Sequence, residues 1–358
     1  MKWILPAGLL AAALSCTGSA PPAALPADLA AALDPIFAAW DRDDGPGMTV
    51  AVLKEGVFVY LRGFGMADLE NGVPNGPQTV FRIGSTSKQF TAACIALLVE
   101  RGRLALDTPL AELFPEAPAW AAKVRIRHLA YHTSGIPDYL DLHEKKVFTP
   151  KESLDLILEK GAPRFPPGSA FEYSNSNYFL LGEIVSRVSG VPFPEFARRE
   201  LFEPLGMAHT HFHHDHTHVV PHAAHGYACG RGAWKVVDTP LDHVGDGGLF
   251  TTAGDLARWA ANLRSPVGGG RKWLALMTAP GWDFGPGPHG REGYAFGLEI
   301  RTGTPLGRVI SHGGSWSGFN AEFLRLPDKN LAVIVLSNCD SAPATRLAWR
   351  VARALEGS

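Results

Sequence analysis

Ser85 and Lys88 are the ends of a Ser-x-x-Lys sequence that stands directly before an apolar run. If that run is helical, Ser85 lies at its N-terminus and Lys88 lies one turn later on the same face. A serine hydroxyl becomes a strong nucleophile when a neighbouring base takes its proton, and a partly desolvated lysine amine can be that base. Because an N-cap serine with an exposed lysine fits the same letters, the pattern indicates catalysis only together with other motifs.

Tyr173 and Asn175 form a Tyr-x-Asn sequence after the turn at residues 166–168. A tyrosine beside cationic groups can carry protons to a leaving group, and an asparagine amide can both donate to and accept from an amide-like substrate. The alternative interpretation is a packed loop tyrosine next to an asparagine that caps the following helix.

The third motif, residues 312–315, follows a predicted strand that ends at Ser311. The glycines of this motif, including Gly314, would let a ligand backbone approach the strand edge. The backbone N–H of Ser315 would then stabilise a negative oxygen together with that of Ser85. We predict that Asn175, His312, Gly314 and Ser315 bind substrate.

In this order, the three motifs resemble those of the serine β-lactamase and penicillin-binding-protein superfamily. The branch with Tyr-x-Asn as middle motif is the most similar one, and it includes class C β-lactamases, D,D-carboxypeptidases, D-aminopeptidases and esterases. Further familial stretches are His128–Pro137, Pro204–Met207 and Gly247–Thr252. The resemblance implies that Ser85 is the nucleophile, Lys88 its base, Tyr173 the proton shuttle and Asn175 a contact for the substrate amide.

His312 stands where class C β-lactamases resemble one another in having lysine. A histidine is mostly neutral at pH 7, so a permanent cation for a substrate carboxylate is missing. This difference favours a peptidase of the D-Ala type or an esterase acting through a Ser85 acyl-enzyme. A β-lactamase proper and a non-catalytic penicillin-binding sensor or scaffold stay open as alternatives. We also hypothesise that protonation of His312 assists the binding of acidic substrates.

Eight histidines between residues 209 and 225 suggest a metallohydrolase as a rival, because such clusters can bind transition metals. They lack a helical zinc spacing such as His-Glu-x-x-His, so we predict a polar surface loop and no metal or other cofactor in the reaction. An α/β-hydrolase esterase is a weaker rival, because no Gly-x-Ser-x-Gly elbow occurs in the chain.

Strand-like sequences lie near both ends of the chain, with helical patterns between them. Alternating and β-branched residues predict five strands, near residues 48–53, 57–61, 308–311, 321–326 and 331–336. We therefore predict an α+β fold of the β-lactamase/transpeptidase kind. It has a five-stranded antiparallel sheet from about residues 28–84 and 290–358, flanked by the terminal helices, and an inserted all-helical region at about residues 85–289.

The first 20 residues resemble a signal peptide, with a basic start and an apolar run too short to span a bilayer. Cleavage near Ala20 and cleavage before Cys16, with lipidation and membrane attachment at that cysteine, are both open. Residues 21–27 would be a linker to a hydrolase domain at residues 28–358. We expect an exported monomer, periplasmic or secreted, that acts on a small molecule or peptide. The 33 basic residues nearly balance the 35 acidic ones, which argues against nucleic-acid binding.

Overall fold

The computed structural model describes residues 27–230, 232–287 and 290–356. The predicted signal peptide, the linker up to residue 26 and Cys16 lie outside these residues. Within them, no helix has both the length and the apolar character that crossing a membrane requires.

Strands from the two ends of the chain pair into one large antiparallel sheet. In chain order, the strands of the described residues are β1 (Met48–Lys54), β2 (Val57–Phe64), β3 (Met66–Asp68), β4 (Val73–Pro74), β5 (Phe81–Arg82), β6 (His211–Phe212), β7 (Tyr227–Gly230), β8 (Ala233–Val236), β9 (Leu249–Thr251), β10 (Trp282–Gly287), β11 (Gly290–Tyr294), β12 (Glu299–Thr304), β13 (Gly307–Trp316), β14 (Phe319–Leu326) and β15 (Leu331–Ser337). The large sheet has the order β10-β11-β12-β13-β14-β15-β1-β2.

The predicted five-stranded sheet is wrong in its strand number, because this sheet has eight strands. The five predicted strands correspond to β1, β2, β13, β14 and β15, and the sequence reading missed β10, β11 and β12. Glycine and proline in β10 and β11 hide the alternating pattern that predicts a strand. Pro286 is tolerated because β10 is the outermost strand, where a missing N–H breaks no inner ladder.

The helices lie on both faces of the large sheet. In chain order they are α1 (Ala27–Phe37), α2 (Lys88–Glu100), α3 (Leu110–Leu113), α4 (Ile126–Ala130), α5 (Tyr139–Leu142), α6 (Pro150–Lys160), α7 (Asn175–Ser189), α8 (Phe193–Ala197), α9 (Ala253–Asn262), α10 (Arg271–Thr278) and α11 (Ala344–Ala354). The terminal helices α1 and α11 share one hydrophobic core with one face of the sheet, in which Phe37, Val335 and Leu347 are fully or almost fully buried.

The other face of the sheet packs against the region between the two strand groups. This region is not all-helical as predicted, because β5, β9 and β6 form a small sheet and β7 pairs with β8. These strands have only two to four residues, too short for a period-2 pattern to stand out. At the centre of this region lies α2, in which every residue except Glu100 is buried. A helix buried all round is held on every side, and it starts where the Ser-x-x-Lys motif lies.

Candidate active site

Lys88 is the first residue of α2 and is fully buried. Ser85 lies in the 3-10 turn Gly84–Ser87 that leads into this helix. The Lys88 ammonium donates hydrogen bonds to the Ser85 hydroxyl at 3.0 Å, to the Asn175 side-chain oxygen at 2.7 Å and to the main-chain oxygen of Asp246 at 2.7 Å. The candidate base and the candidate nucleophile are therefore in direct contact, and two further oxygens fix the amine.

Asn175 begins α7 and connects Lys88 to a half-buried acid, Asp138. Its side-chain nitrogen and its backbone nitrogen both donate to one oxygen of Asp138, each at 2.8 Å. The other Asp138 oxygen accepts from Leu140 N at the start of α5. Burial raises the pKa of Asp138, whereas these hydrogen bonds and the Lys88 ammonium lower it. The Asn175 amide, predicted to contact substrate, is thus also used inside the protein to hold Lys88.

Tyr173 lies beside the Lys88 ammonium, which is 4.9 Å from the centre of the tyrosine ring. The Tyr173 ring also stacks on His132. The Tyr173 side chain is 38% exposed, and its hydroxyl makes no hydrogen bond to the described residues. Its position next to an amine and open to solvent suits a group that exchanges protons with a bound substrate.

His312 is buried in β13, and its ring nitrogens are both engaged. Nδ1 lies 2.6 Å from the Gly313 carbonyl and is therefore the donor, and Nε2 lies 3.1 Å from the Tyr294 hydroxyl and accepts. Burial raises the pKa of Tyr294 well above its usual value, so its hydroxyl keeps its proton. Burial also lowers the pKa of His312, although Glu299 opposes this, and the imidazole is neutral at pH 7.

The strand β13 approaches the Ser85 turn closely enough to exclude a side chain at either glycine. A Cβ at Gly314 would lie 2.0 Å from the Ile83 carbonyl and 2.9 Å from Ser85 N, and a Cβ at Gly84 would lie 2.7 Å from Ser315 N. Gly84 also has a φ of +50°, which favours glycine. The two backbone N–H groups predicted to hold an oxyanion are therefore carried by segments in contact.

Two cavities meet at Ser85. Residues 173 and 312 line one of them together with Ser85, Gly314 and Ser315. The second cavity is lined by Ser85, Asn175, Ser315 and a set of buried polar residues on the opposite side, namely Arg82, Tyr139, His243 and Asp246. The structure thus brings six of the seven predicted site residues to the walls of these two cavities, and the seventh, Lys88, lies against the nucleophile at their junction.

A family model described as Beta-lactamase matches residues 35–357 of this chain. The chain belongs to the beta-lactamase family. Its similarity to penicillin-binding proteins and D-aminopeptidases shows the serine β-lactamase and penicillin-binding-protein superfamily, and it makes the chain a serine hydrolase.

Relatives of this beta-lactamase family chain carry several different activities in their names. "Penicillin-binding protein 4*" of Bacillus subtilis (strain 168) is 29% identical over 81% of this chain and 67% of its own length. A "D-aminopeptidase" of Gluconobacter oxydans (strain 621H) is 29% identical over 88% of this chain and 60% of its own length. The crystal structure of D-amino acid amidase from Ochrobactrum anthropi SV3 complexed with D-phenylalanine has a TM-score of 0.77 and 25% identity, covering 92% of this chain and 99% of that chain. The chain therefore spans less than two thirds of the D-aminopeptidase.

Several residues that shape this family site were missed in the sequence. His132, Asp138 and Asp246 touch the three motifs only through the tertiary fold. Asp138 had a local signal, since it follows Gly135–Pro137 and directly precedes a short helix that it caps. His132 and Asp246 had none beyond lying in or beside stretches that looked familial.

No residue of the histidine-rich segment lines either of the two cavities at Ser85. His211 Nε2 is 3.2 Å from His213 Nδ1, His216 pairs with Asp242, and His218 pairs with Asp215. Over the residues that the structure describes, no group of three or more metal-ligating side chains is placed to hold an ion.

Proposed function

We propose that this serine hydrolase cleaves small amides or esters of D-configured amino acids through an acyl-enzyme on Ser85. The observation that carries the proposal is the buried Lys88 ammonium. It donates hydrogen bonds to the Ser85 hydroxyl and to the Asn175 side-chain oxygen, and Ser85 lies at the junction of two cavities. The names of the D-aminopeptidase and the D-amino acid amidase that resemble the chain support the substrate class.

In the proposed reaction, the Lys88 ammonium first releases a proton to solvent, and the resulting amine takes the proton of Ser85 as the Ser85 oxygen attacks the substrate carbonyl. The backbone N–H groups of Ser85 and Ser315 stabilise the negative oxygen of the tetrahedral intermediate. Tyr173 gives its proton to the leaving amine or alcohol and stays deprotonated, while Lys88 keeps the proton taken from Ser85. Deprotonated Tyr173 then takes a proton from water as that water attacks the acyl carbon, and Lys88 returns its proton to the departing Ser85 oxygen.

His312 argues against a β-lactamase proper. The buried imidazole is neutral at pH 7 and leaves no permanent cation at this motif for the carboxylate of a β-lactam. Arg301 lines the same cavity, but Glu299 already pairs with its guanidinium at 2.7 Å. The preferred substrates of the proposed enzyme therefore lack a carboxylate on the leaving group.

The decisive experiment compares p-nitrophenyl acetate, D-alanine p-nitroanilide, L-alanine p-nitroanilide and nitrocefin as substrates of the purified chain. We expect hydrolysis of the ester and of the D-anilide, slower turnover of the L-anilide, and poor nitrocefin cleavage. Ser85→Ala is expected to lose nearly all activity, whereas Ser265→Ala, at an exposed position, keeps it. Nitrocefin cleaved faster than the ester and the anilide would favour a β-lactamase.

A covalent probe separates an enzyme from a scaffold. Intact-mass analysis after a fluorophosphonate should show one adduct on wild type and on Ser265→Ala, and none on Ser85→Ala. No adduct on wild type, together with no turnover, would favour a penicillin-binding scaffold that does not react.

A further inference from the structure

The cavity on the Asn175 side of Ser85 is where the acyl part of the substrate would bind. Tyr173, the proposed donor to the leaving group, lines the other cavity, so the leaving group occupies that side. The cavity with Asn175, here named the acyl pocket, has a volume of about 160 Å³. An engineered cavity of about 150 Å³ holds benzene, so the acyl pocket fits about six non-hydrogen atoms.

Asp246 supplies an acid to the acyl pocket. Its side chain is only 7% exposed, and one of its carboxyl oxygens accepts a hydrogen bond from Tyr139 at 2.9 Å. The other oxygen is buried and has no partner among the described residues. Its main-chain oxygen and the Ser85 hydroxyl bond the same ammonium at 2.7 and 3.0 Å, so these two atoms lie less than about 6 Å apart. Because Asp246 and Ser85 line the same cavity, an amine on the carbon next to the reacting carbonyl would enter the space beside this residue.

Arg82 supplies a cation to the same pocket. It is also 7% exposed, and its single side-chain hydrogen bond within the described residues is a long one of 3.4 Å to the Leu241 carbonyl. Its Nε has no partner, and no carboxylate oxygen of the described chain lies within 4.0 Å of its guanidinium. Taking a charge out of water without a partner costs several kcal/mol. A buried guanidinium kept without a partner beside a nucleophile indicates that a bound ligand supplies the partner.

Neither group neutralises the other in the protein. The two side chains attract each other electrostatically but are not in ion-pair contact. His243 adds no charge at pH 7, because burial lowers its pKa to about 4. Its Nε2 is hydrogen-bonded to the Ser153 hydroxyl. The acyl pocket therefore offers one acid and one cation, both buried and both lacking an opposite charge in contact.

We propose that the acyl pocket selects an acidic amino-acyl group, whose ammonium binds Asp246 and whose side-chain carboxylate binds Arg82. This inference rests on the proposed function and names its substrate class. Aspartyl has six non-hydrogen atoms beyond its carbonyl and glutamyl has seven, which matches the capacity of the pocket. An ammonium placed against Asp246 and a carboxylate against Arg82 satisfy both buried groups with charge-assisted hydrogen bonds.

The test on wild type compares four α-p-nitroanilides: D-aspartyl, D-asparaginyl, D-alanyl and succinyl. D-Asparaginyl keeps the size and the amine but removes the carboxylate charge, and succinyl keeps the carboxylate but removes the amine. We expect kcat/KM for D-aspartyl to exceed each of the others by about tenfold or more, as one good charged contact allows. Turnover of D-alanyl or D-asparaginyl as fast as that of D-aspartyl overturns the proposal.

Variants assign each preference to its residue through ratios measured within one protein. In Arg82→Gln the ratio of kcat/KM for the D-aspartyl anilide to that for the D-asparaginyl anilide should fall to about one. Arg82→Lys should keep part of this preference. In Asp246→Asn the D-aspartyl to succinyl ratio should collapse. Arg42→Gln and Asp44→Asn, which change an exposed ion pair, should leave both ratios at wild-type values. Ratios that survive in the pocket variants, with only the melting temperature lowered, would show a structural role and contradict the proposal.

The result also separates this inference from the proposed function. If the fluorophosphonate labels Ser85 of the wild-type protein, and this protein hydrolyses D-alanyl p-nitroanilide without preferring the D-aspartyl compound, only the acyl-pocket inference fails. If wild type neither labels nor hydrolyses any of these compounds or p-nitrophenyl acetate, the proposed function itself fails.

Discussion

His132 stacks on Tyr173, with ring centroids 4.2 Å apart and ring planes inclined by 25°. The imidazole is buried, and its Nδ1 accepts from the backbone N–H of Ser174 at 3.2 Å. Burial and the nearby Lys88 ammonium lower the pKa of His132 well below its usual value. A neutral ring tied to the residue after Tyr173 thus fixes the tyrosine ring beside Lys88, which makes His132 a positioning residue.

Tyr173→Phe should lower kcat by about 10²-fold or more, because the proposed proton carrier is removed while the ring stays in place.

His132→Asn should lower kcat by about tenfold with little change in KM, because asparagine tolerates the positive φ of 54° but leaves Tyr173 without its stacking partner. Steady-state kinetics on D-alanine p-nitroanilide measure both effects.

The double variant decides whether His132 acts through Tyr173. Adding His132→Asn to Tyr173→Phe should lower kcat almost no further, because the hydroxyl that His132 positions is already absent. His209→Asn, at an exposed histidine, is the control that should behave as wild type. Full additivity of the two losses would contradict the positioning role.

Gly314→Ala should abolish most activity without unfolding the protein. The added methyl group would lie 2.0 Å from the Ile83 carbonyl, so β13 and the Ser85 turn would have to separate. Loss of one oxyanion donor alone costs about 10²–10³-fold in kcat, and we expect a loss of at least this size. Gly76→Ala, where a Cβ meets no atom within 4 Å, is the matched control. Activity near wild type in Gly314→Ala would exclude the oxyanion role of this segment.

Local geometry explains which parts of the site the sequence could predict. Ser85 and Lys88 are three residues apart at a helix start, a spacing that helix geometry alone turns into proximity. By contrast, Asn175 reaches Lys88 across 87 positions of the chain, and its order among the motifs identified it only through the family resemblance. Asp138 and His132 depend on two loops that meet only after folding, and no local periodicity encodes such a meeting.

The strands of the large sheet also divide into those that the sequence predicts and those that it does not. β1 and β15 are apolar and rich in β-branched residues, a composition that predicts buried strands from the sequence. β10 and β11 contain glycine and proline, and they are strands because β12 provides an ordered edge to pair with. Pairing with a neighbouring strand overrides the weak intrinsic strand preference of such residues, which a single segment read by itself does not reveal.

His312→Asn tests whether a protonated imidazole assists acidic leaving groups. Burial lowers the pKa of His312, so the cation forms only below the usual value of about 6.5. We expect the kcat/KM ratio of D-alanyl-glycine to D-alanyl-glycinamide to rise in wild type as the pH falls from 7 to 5. In the variant this ratio should stay flat, because no proton can be gained there. The same pH dependence of the ratio in both proteins would refute the hypothesis.

Glu322→Gln should stabilise the protein in alkaline solution. Glu322 is buried in β14, where Thr345 donates to it at 2.6 Å, and burial raises its pKa to about 8 from an ordinary value of 4.5. Between these two values the folded state binds more protons at this carboxyl than the unfolded state does. The contribution of Glu322 to stability therefore falls as the pH rises from about 4.5 through 8. Glutamine has the same shape and no charge, so the variant escapes this loss.

Melting temperatures of wild type and Glu322→Gln at pH 5, 7 and 9 measure this effect. The variant should melt near or slightly below wild type at pH 5 and several degrees above it at pH 9, since about 1 kcal/mol shifts the melting temperature by about 2–4 °C in a large domain. Glu159→Gln, at an exposed position of α6, should show no such trend. A difference between Glu322→Gln and wild type that is the same at all three pH values would mean that the Glu322 carboxyl is not held protonated by its burial.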